Sequence, residues 1–227
     1  MIHTQPDTPI CPPIDIFSDE PPLESYRHLK QLILLLTGLE RLWQRQDFFA
    51  GANMSVYYSI RQLKSEDVRG PDFFVVLNTE RKERKSWVVW DEDGKYPNFI
   101  LEILSDSTAK NDRGLKKQLY QDVFRTPDYF WFDPYSLEFA GFNLNYRSYE
   151  QIVPNEQGWL WSDELQLYLG IVDEKLRFFT REGELVLTPE EAEAQERQRA
   201  EEAEEKVEHL RQKLRELGVD PDDLNGE

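Results

Sequence analysis

From about Ser25 to Gln46, apolar side chains recur at three- and four-residue spacing (Leu29, Leu32, Ile33, Leu35, Leu36, Leu39, Leu42, Trp43), which predicts a helix with one wide apolar face built to pack on a sheet. Short β-branched and aromatic runs follow at Met54–Ile60, Asp72–Leu77, Trp87–Trp90 and Asn98–Leu104, each bounded by turn or charged segments, and each reads as a strand. A second helix is expected over Asp112–Arg125, with Leu115, Leu119 and Val123 at four-residue spacing; Thr126-Pro127 ends it, and Tyr129–Phe132 reads as a buried strand. Leu137–Leu144, Ser148–Val153, Leu165–Leu169 and Lys175–Phe179 suggest further hairpin-like strands. Helix, strands, helix and strand in this order predict an α/β (α+β) sandwich with a mixed sheet flanked by helices.

The two ends follow other patterns. Residues 1–22 are Pro-rich and acidic and read as a disordered arm, and the folded domain is expected over 23–185. In 189–217, Ala200, Ala203, Val207, Leu210, Leu214 and Leu217 keep a 3-4-3-4-3 spacing within a run of Glu, Gln, Arg, Lys and Ala, the a/d seam of a coiled coil. Such a C-terminal helix pairs with a copy of itself, folds back on its own domain, or stays solvated. Gly218 and Pro221 fit a helix stop, leaving an acidic tail over 218–227.

Charge changes this picture less than its total suggests. The 227 residues carry a net −17, which argues against a phosphate-bearing partner. Residues 1–24 hold five acids and no base, and 189–227 a net −8, which leaves only −4 on 25–188 and room for a basic cleft there. A single cysteine, Cys11, makes no intramolecular disulfide, and His3, His28 and His209 lack zinc-ligand spacing. No apolar run is long enough to span a bilayer and no signal segment opens the chain, so a soluble, cytoplasmic protein without membrane contact is expected. Gly-rich phosphate loops, Gly-x-Ser-x-Gly elbows and His-Glu-x-x-His helices are missing from the sequence.

The remaining chemistry lies in carboxylates at costly places. Asp72 opens Pro71-Asp72-Phe73-Phe74-Val75-Val76-Leu77, and Glu102 sits inside Phe99-Ile100-Leu101-Glu102-Ile103-Leu104. An ionised Glu in a strand apolar on both faces needs a cation beside it, either Lys/Arg or a metal. Should the two strands be neighbours, a hard ion such as Mg²⁺ or Mn²⁺ would relieve the repulsion between the carboxylates and could add a backbone carbonyl. Asp112, Lys116 and Tyr120 fall on one helix face, each about 40° round from the last. Packed over the sheet near Glu102, that face aims Lys116 at the site, where it could orient an attacking water or stabilise phosphorane charge. Plain structural alternatives stand beside these: Asp72 in a turn with Pro71 or paired with Arg69, Glu102 in a buried ion pair, Lys116 paired with Asp112. Tyr120, Tyr129 and Trp131 then serve as core and cleft-wall aromatics, and Ser105, Ser107 and Thr108 as loop or cap residues.

The strings RGPDFFVVLN and FILEILSDSTAKNDRGLKKQLYQDVFRTPDYFWFDP, with the charged heptad tail, resemble the Uma2 family (DUF820), abundant in cyanobacteria and placed in the restriction-endonuclease-like PD-(D/E)xK superfamily. The resemblance covers about Leu23–Phe179. It implies a restriction-endonuclease-like core and a Mg²⁺- or Mn²⁺-dependent endonuclease acting on DNA, in which Asp72 and Glu102 are the two acids and the Ile103 carbonyl joins them on the metal. Leu104 stands where the superfamily motif has lysine, and the resemblance moves that role to Lys116, one step from Lys117. It also implies an auxiliary acid on the first helix, here Glu40, whose plain alternative is a pair with Arg61 or Lys64. Asp112 and Tyr120 are auxiliary candidates. Arg81, Lys82, Arg84 and Lys85 form the richest basic stretch and the candidate phosphate contact, so that weak, salt-sensitive DNA binding is expected. Homodimerisation is expected through the core or residues 200–217. The competing class is an inactive nuclease-fold scaffold that works as an oligomerisation or docking module through its tail; a small-molecule metal hydrolase has no sequence feature of its own.

Overall fold

The computed structural model describes residues 14–20, 22–23, 25–59, 70–105 and 112–217; the side chains of Asp112 and Arg113 lie outside that description. The chain divides into two compact units, one ending at Val186 and one beginning at Leu187.

In the first unit, helix α1 spans Tyr26–Leu42, and its N-cap Ser25 accepts the His28 N–H at 3.1 Å. Its buried stripe is His28, Gln31, Leu32, Leu35, Gly38 and Leu39. The expected face is therefore too wide: Leu29, Ile33 and Leu42 are exposed, because a helix seated on a sheet covers only a stripe of its circumference. Gln31 stays in the core because its amide bonds both backbone groups of Leu176.

Strands β1 (Phe48–Ala52), β3 (Phe73–Leu77), β5 (Phe99–Ile103), β6 (Asp128–Phe132), β7 (Phe139–Asn145) and β8 (Ser148–Gln151) form one sheet in the order β1-β3-β5-β6-β7-β8. Only β5 and β6 run parallel, so the sheet is mixed. Strand β1 was not expected, because its bulk lies across the ladder: a Cβ on Gly51 would sit 2.3 Å from the Phe74 ring opposite it. The expected strands Met54–Ile60 and Trp87–Trp90 shrink to β2 (Val56–Tyr57) and β4 (Trp87–Val88), a two-residue parallel pair; Ile60 lies outside the described residues. Strands β9 (Leu160–Ser162), β10 (Leu167–Val172) and β11 (Lys175–Phe179) make a separate antiparallel sheet, with Gln166 in a left-handed turn before β10.

Each face of the large sheet has its own core. Phe73, Val75, Phe99, Leu101 and Ile103 pack with Leu32, Leu35 and Leu39 of α1 and with Leu169, Leu176 and Phe178 of the small sheet. Phe74, Val76 and Ile100 point the other way and pack with Val56, Trp87, Tyr120 and Phe124. Helix α2 runs through three segments, Asp112–Lys116, Lys117–Leu119 and Tyr120–Phe124, the first and last wound as π-helix. Its apolar spacing misleads: Leu115 and Val123 are exposed, and Tyr120 and Phe124 form the buried face. Arg125 adopts a left-handed conformation and, with Thr126, donates to the Tyr120 carbonyl, closing the helix.

Part of the supposedly disordered arm is tied down. Residues 14–20 run beside Ser55 and Ser86, with Ser18 N–H on the Lys85 carbonyl at 3.0 Å and Glu20 accepting from the Gly70 N–H and Ser55 hydroxyl. Residues 1–13 lie outside the described residues. In the second unit, helix α3 spans Pro189–Glu216 behind a Thr188/Glu191 capping box, and Val207, Leu210 and Leu217 of the heptad seam are exposed. Gly218 and Pro221 fall outside the described residues. Among those residues no helix is long and apolar enough to cross a membrane.

Candidate active site

Strand register brings the two carboxylates together. Phe73 pairs with Leu101 in an antiparallel ladder, so Asp72 arrives opposite Glu102. The Ile103 N–H donates to Asp72 Oδ2 at 2.8 Å, and Asp72 N lies 3.4 Å from Glu102 Oε2. A strand residue sends its N–H and C=O to the same side, so the Ile103 carbonyl also faces the Asp72 edge. Glu102 alternates with Leu101 and Ile103 and thereby points beneath α2.

From α2, Lys116 Nζ reaches Glu102 Oε2 at 2.9 Å and the Tyr120 hydroxyl donates to Oε1 at 2.6 Å. The helix therefore sets an ammonium and a phenol on one carboxylate from adjacent turns, and π-winding of this kind is frequent where a helix bears function. Glu102 is 0% exposed, whereas the Asp72 and Lys116 side chains are 18% and 19% exposed. The site thus has a sealed acid at its base and an acid and a lysine at its mouth. Burial alone would raise the Asp72 carboxyl; the His28 imidazole, the Lys116 ammonium and the Ile103 N–H outweigh it and hold the group below the usual carboxylate range.

The donor set suits a divalent cation: two carboxylates, one backbone carbonyl on the same edge, and the buried His28 Nε2, which has no hydrogen-bond partner among the described residues and lies 3.3 Å from Asp72 Oδ1. Among the described residues no three His, Cys, Asp or Glu side chains form a ready-made metal group. Glu102 is turned onto Lys116 and Tyr120, so an ion that draws on it shares Oε2 with the ammonium or displaces it.

Other candidates lie elsewhere. Glu40 is exposed and sits twelve residues beyond His28, roughly 18 Å along the helix axis, so the α1 side chain at the site is a histidine and not that acid. Arg84 is no phosphate contact. Its guanidinium lies against the stacked rings of Phe49 and Trp87 and bonds Glu92, Thr79 and the carbonyls of Glu80 and Lys82, which engages every N–H it has. Arg81 donates to the Trp43 carbonyl and covers Phe48, while the half-exposed Lys82 and Lys85 pair with Glu80, Glu92 and Asp15. The stretch is pinned by the acids around it, Glu80, Glu92 and Asp15. Tyr129 is buried against Tyr120, Phe142 and Tyr149, and Trp131 is partly buried. Arg61, Lys64, Arg69, Ser107, Thr108 and the Asp112 side chain lie outside the described residues.

His28 is the site residue that pattern reading passed over. Its signal was available, because 28, 32, 35 and 39 share the phase of the buried stripe and a histidine heads it. A second buried carboxylate, Asp128 at the start of β6, also escaped notice. It accepts from the Ser162 hydroxyl at 2.5 Å, the Glu164 N–H at 3.0 Å and the Asn143 amide at 2.7 Å.

The family model of Uma2, described as "Putative restriction endonuclease", matches residues 18–178. A crystal structure of "a putative nuclease belonging to DUF820" from Anabaena variabilis is similar at a TM-score of 0.48 and 14% identity, over 68% of this chain and 83% of that one. No curated protein matches the chain.

Proposed function

The chain belongs to the Uma2 family, and on that premise we propose that it hydrolyses phosphodiester bonds in DNA as a Mg²⁺- or Mn²⁺-dependent endonuclease. One observation carries the proposal. Glu102 is completely enclosed in an apolar strand, with a second carboxylate facing it across the ladder and a lysine amine on its oxygen. A carboxylate so placed is expensive to keep ionised, and a core that served only packing would hold an apolar residue there.

Asp72, Glu102 and the Ile103 carbonyl are the groups that would hold the cation. Bound there, a divalent ion supplies Lewis-acid polarisation of the phosphate and a more acidic water. Tyr120 fixes the Glu102 carboxylate in one orientation through its 2.6 Å hydrogen bond. The Lys116 ammonium, partly open to solvent, is placed to orient a water or to offset the negative charge that builds on the phosphoryl oxygens. With the Arg84 guanidinium fully engaged and Arg81 held on the Trp43 carbonyl, few cations are left for the DNA backbone, and binding should be weak and salt-sensitive.

The test is nicking of supercoiled plasmid by the purified full chain with Mg²⁺ or Mn²⁺, beside an identically prepared Asp72→Ala protein and an EDTA control. Metal-dependent cleavage that the variant lacks is the expected result; wild-type cleavage no higher than that of the variant overturns the proposal. The exposed seam residues Val207 and Leu210 support a second reading, in which α3 pairs with another copy and the nuclease fold serves as a scaffold. Deletion of 189–227 separates the two, since an enzyme keeps its cleavage of a minimal substrate and a docking module loses its association.

A further inference from the structure

His28 occupies an unusual position for a core histidine. It is the third residue of α1, anchored there because Ser25 caps its backbone N–H, and the residue is only 6% exposed. Its Nε2 is buried, has no hydrogen-bond partner among the described residues, and stands 3.3 Å from Oδ1 of Asp72. An imidazole retained merely to pair with a carboxylate would point an N–H along that vector, and buried polar atoms left without a hydrogen bond are rare. Two donor atoms each about 2.1 Å from one ion lie about 3.0 Å apart at an octahedral right angle and about 3.4 Å apart at a tetrahedral angle. The observed separation falls between these. The two atoms are therefore spaced as neighbouring ligands of a common third atom.

Building on the metal-dependent reading above, we propose that His28 Nε2 is a protein ligand of the divalent cation beside Asp72, and that it biases the site toward Mn²⁺ over Mg²⁺. The bias follows from ligand chemistry. Carboxylate and carbonyl oxygens serve Mg²⁺ and Mn²⁺ alike, whereas a neutral imidazole nitrogen adds far more to a first-row transition ion than to Mg²⁺. Glu102, already held by Lys116 and Tyr120, then becomes the acid that joins the ion's shell last.

The experiment uses the full chain without DNA: calorimetric titration with Mn²⁺ and with Mg²⁺, and electron spin-echo modulation of the Mn²⁺-loaded protein, which registers a directly bonded ¹⁴N. Wild type should bind Mn²⁺ with ¹⁴N modulation. His28→Gln should lose that modulation, with Mn²⁺ affinity down about tenfold or more and Mg²⁺ affinity down less than about threefold, as expected for one lost ligand. Should His28→Gln fail to fold, a His3→Gln/His209→Gln protein leaves His28 as the only histidine, and retained modulation supports the proposal while its loss overturns it. Bound Mn²⁺ with no ¹⁴N modulation in wild type, or with modulation unchanged in His28→Gln, overturns the ligand role and leaves the metal-dependent reading standing. Metal uptake that is absent, or identical in wild type and Asp72→Ala, overturns both.

Discussion

Strands β5 and β6 run parallel and carry a buried carboxylate near each end, Glu102 level with Trp131 and Asp128 level with Phe99, about 10 Å apart along the sheet. Their surroundings differ in kind. At the Glu102 end an ammonium takes part: Lys116 sits on Glu102, and the His28 imidazole, the Lys116 charge and the Ile103 N–H together hold Asp72 below its usual range. At the Asp128 end every donor is neutral, and burial pushes the carboxyl up to about 6 against the hydrogen bonds of Ser162, the Glu164 N–H and Asn143, with the Glu164 charge adding to the rise. Asp128 is also closed to solvent, while Asp72 is partly open. Neutral donors suffice to pin the small sheet to the large one through Ser162; keeping a carboxylate charged and reachable requires positive partners.

The largest effect on this contrast should come from Lys116→Ala. It leaves Glu102 buried without its ammonium, so urea denaturation should show a loss of about 3 kcal/mol or more, and pairing it with Glu102→Gln should recover most of that. An equal loss in the single and double variants would mean that Lys116 does not compensate Glu102. Next in size is Ser162→Ala, which removes a short hydrogen bond to Asp128 and should lower stability by about 2 kcal/mol at pH 7, without altering metal uptake at the other end of the sheet.

The smallest effect is a pH slope. An Asp of ordinary pKa near 3.9 in the unfolded chain and about 6 in the folded one binds its proton more tightly when folded, so its contribution grows as pH falls. Stability should therefore rise by about 1 kcal/mol from pH 7 to pH 5 through this group, and Asp128→Asn should abolish that rise. Asp72 and Glu92 have the opposite sign: held low when folded, they stabilise fully above the usual carboxylate range and lose that contribution only as pH drops below it. The two contributions have opposite signs and meet near the ordinary carboxylate range, so a denaturation series across pH run on wild type beside Asp128→Asn separates them.

Much of this was legible in the chain because local chemistry carried it. Apolar spacing located α1, β3, β5, β6 and β11; an ionisable residue in an all-apolar strand marked Glu102; Pro-Asp before a hydrophobic run marked Asp72; and four-residue spacing put Lys116 and Tyr120 on one helix face. Other features depended on partners distant in sequence. Strand β1 is built around glycine and alanine that make room for Phe74, so its own hydrophobic signal is weak. The Arg81–Lys85 stretch looks like a phosphate contact until Glu92, Phe49 and Trp87 close on Arg84. Glu40 and His28 lie on the same helix, and only the way α1 seats on the sheet decides which of them meets Asp72. The sequence by itself determined where α1, β3, β5, β6 and β11 form and which carboxylates stand in apolar surroundings, since propensity, periodicity and desolvation act locally. Which side chains answer those carboxylates was decided by strand register and helix docking, because they bring together groups that are separated by 14 to 44 residues and share no local signal.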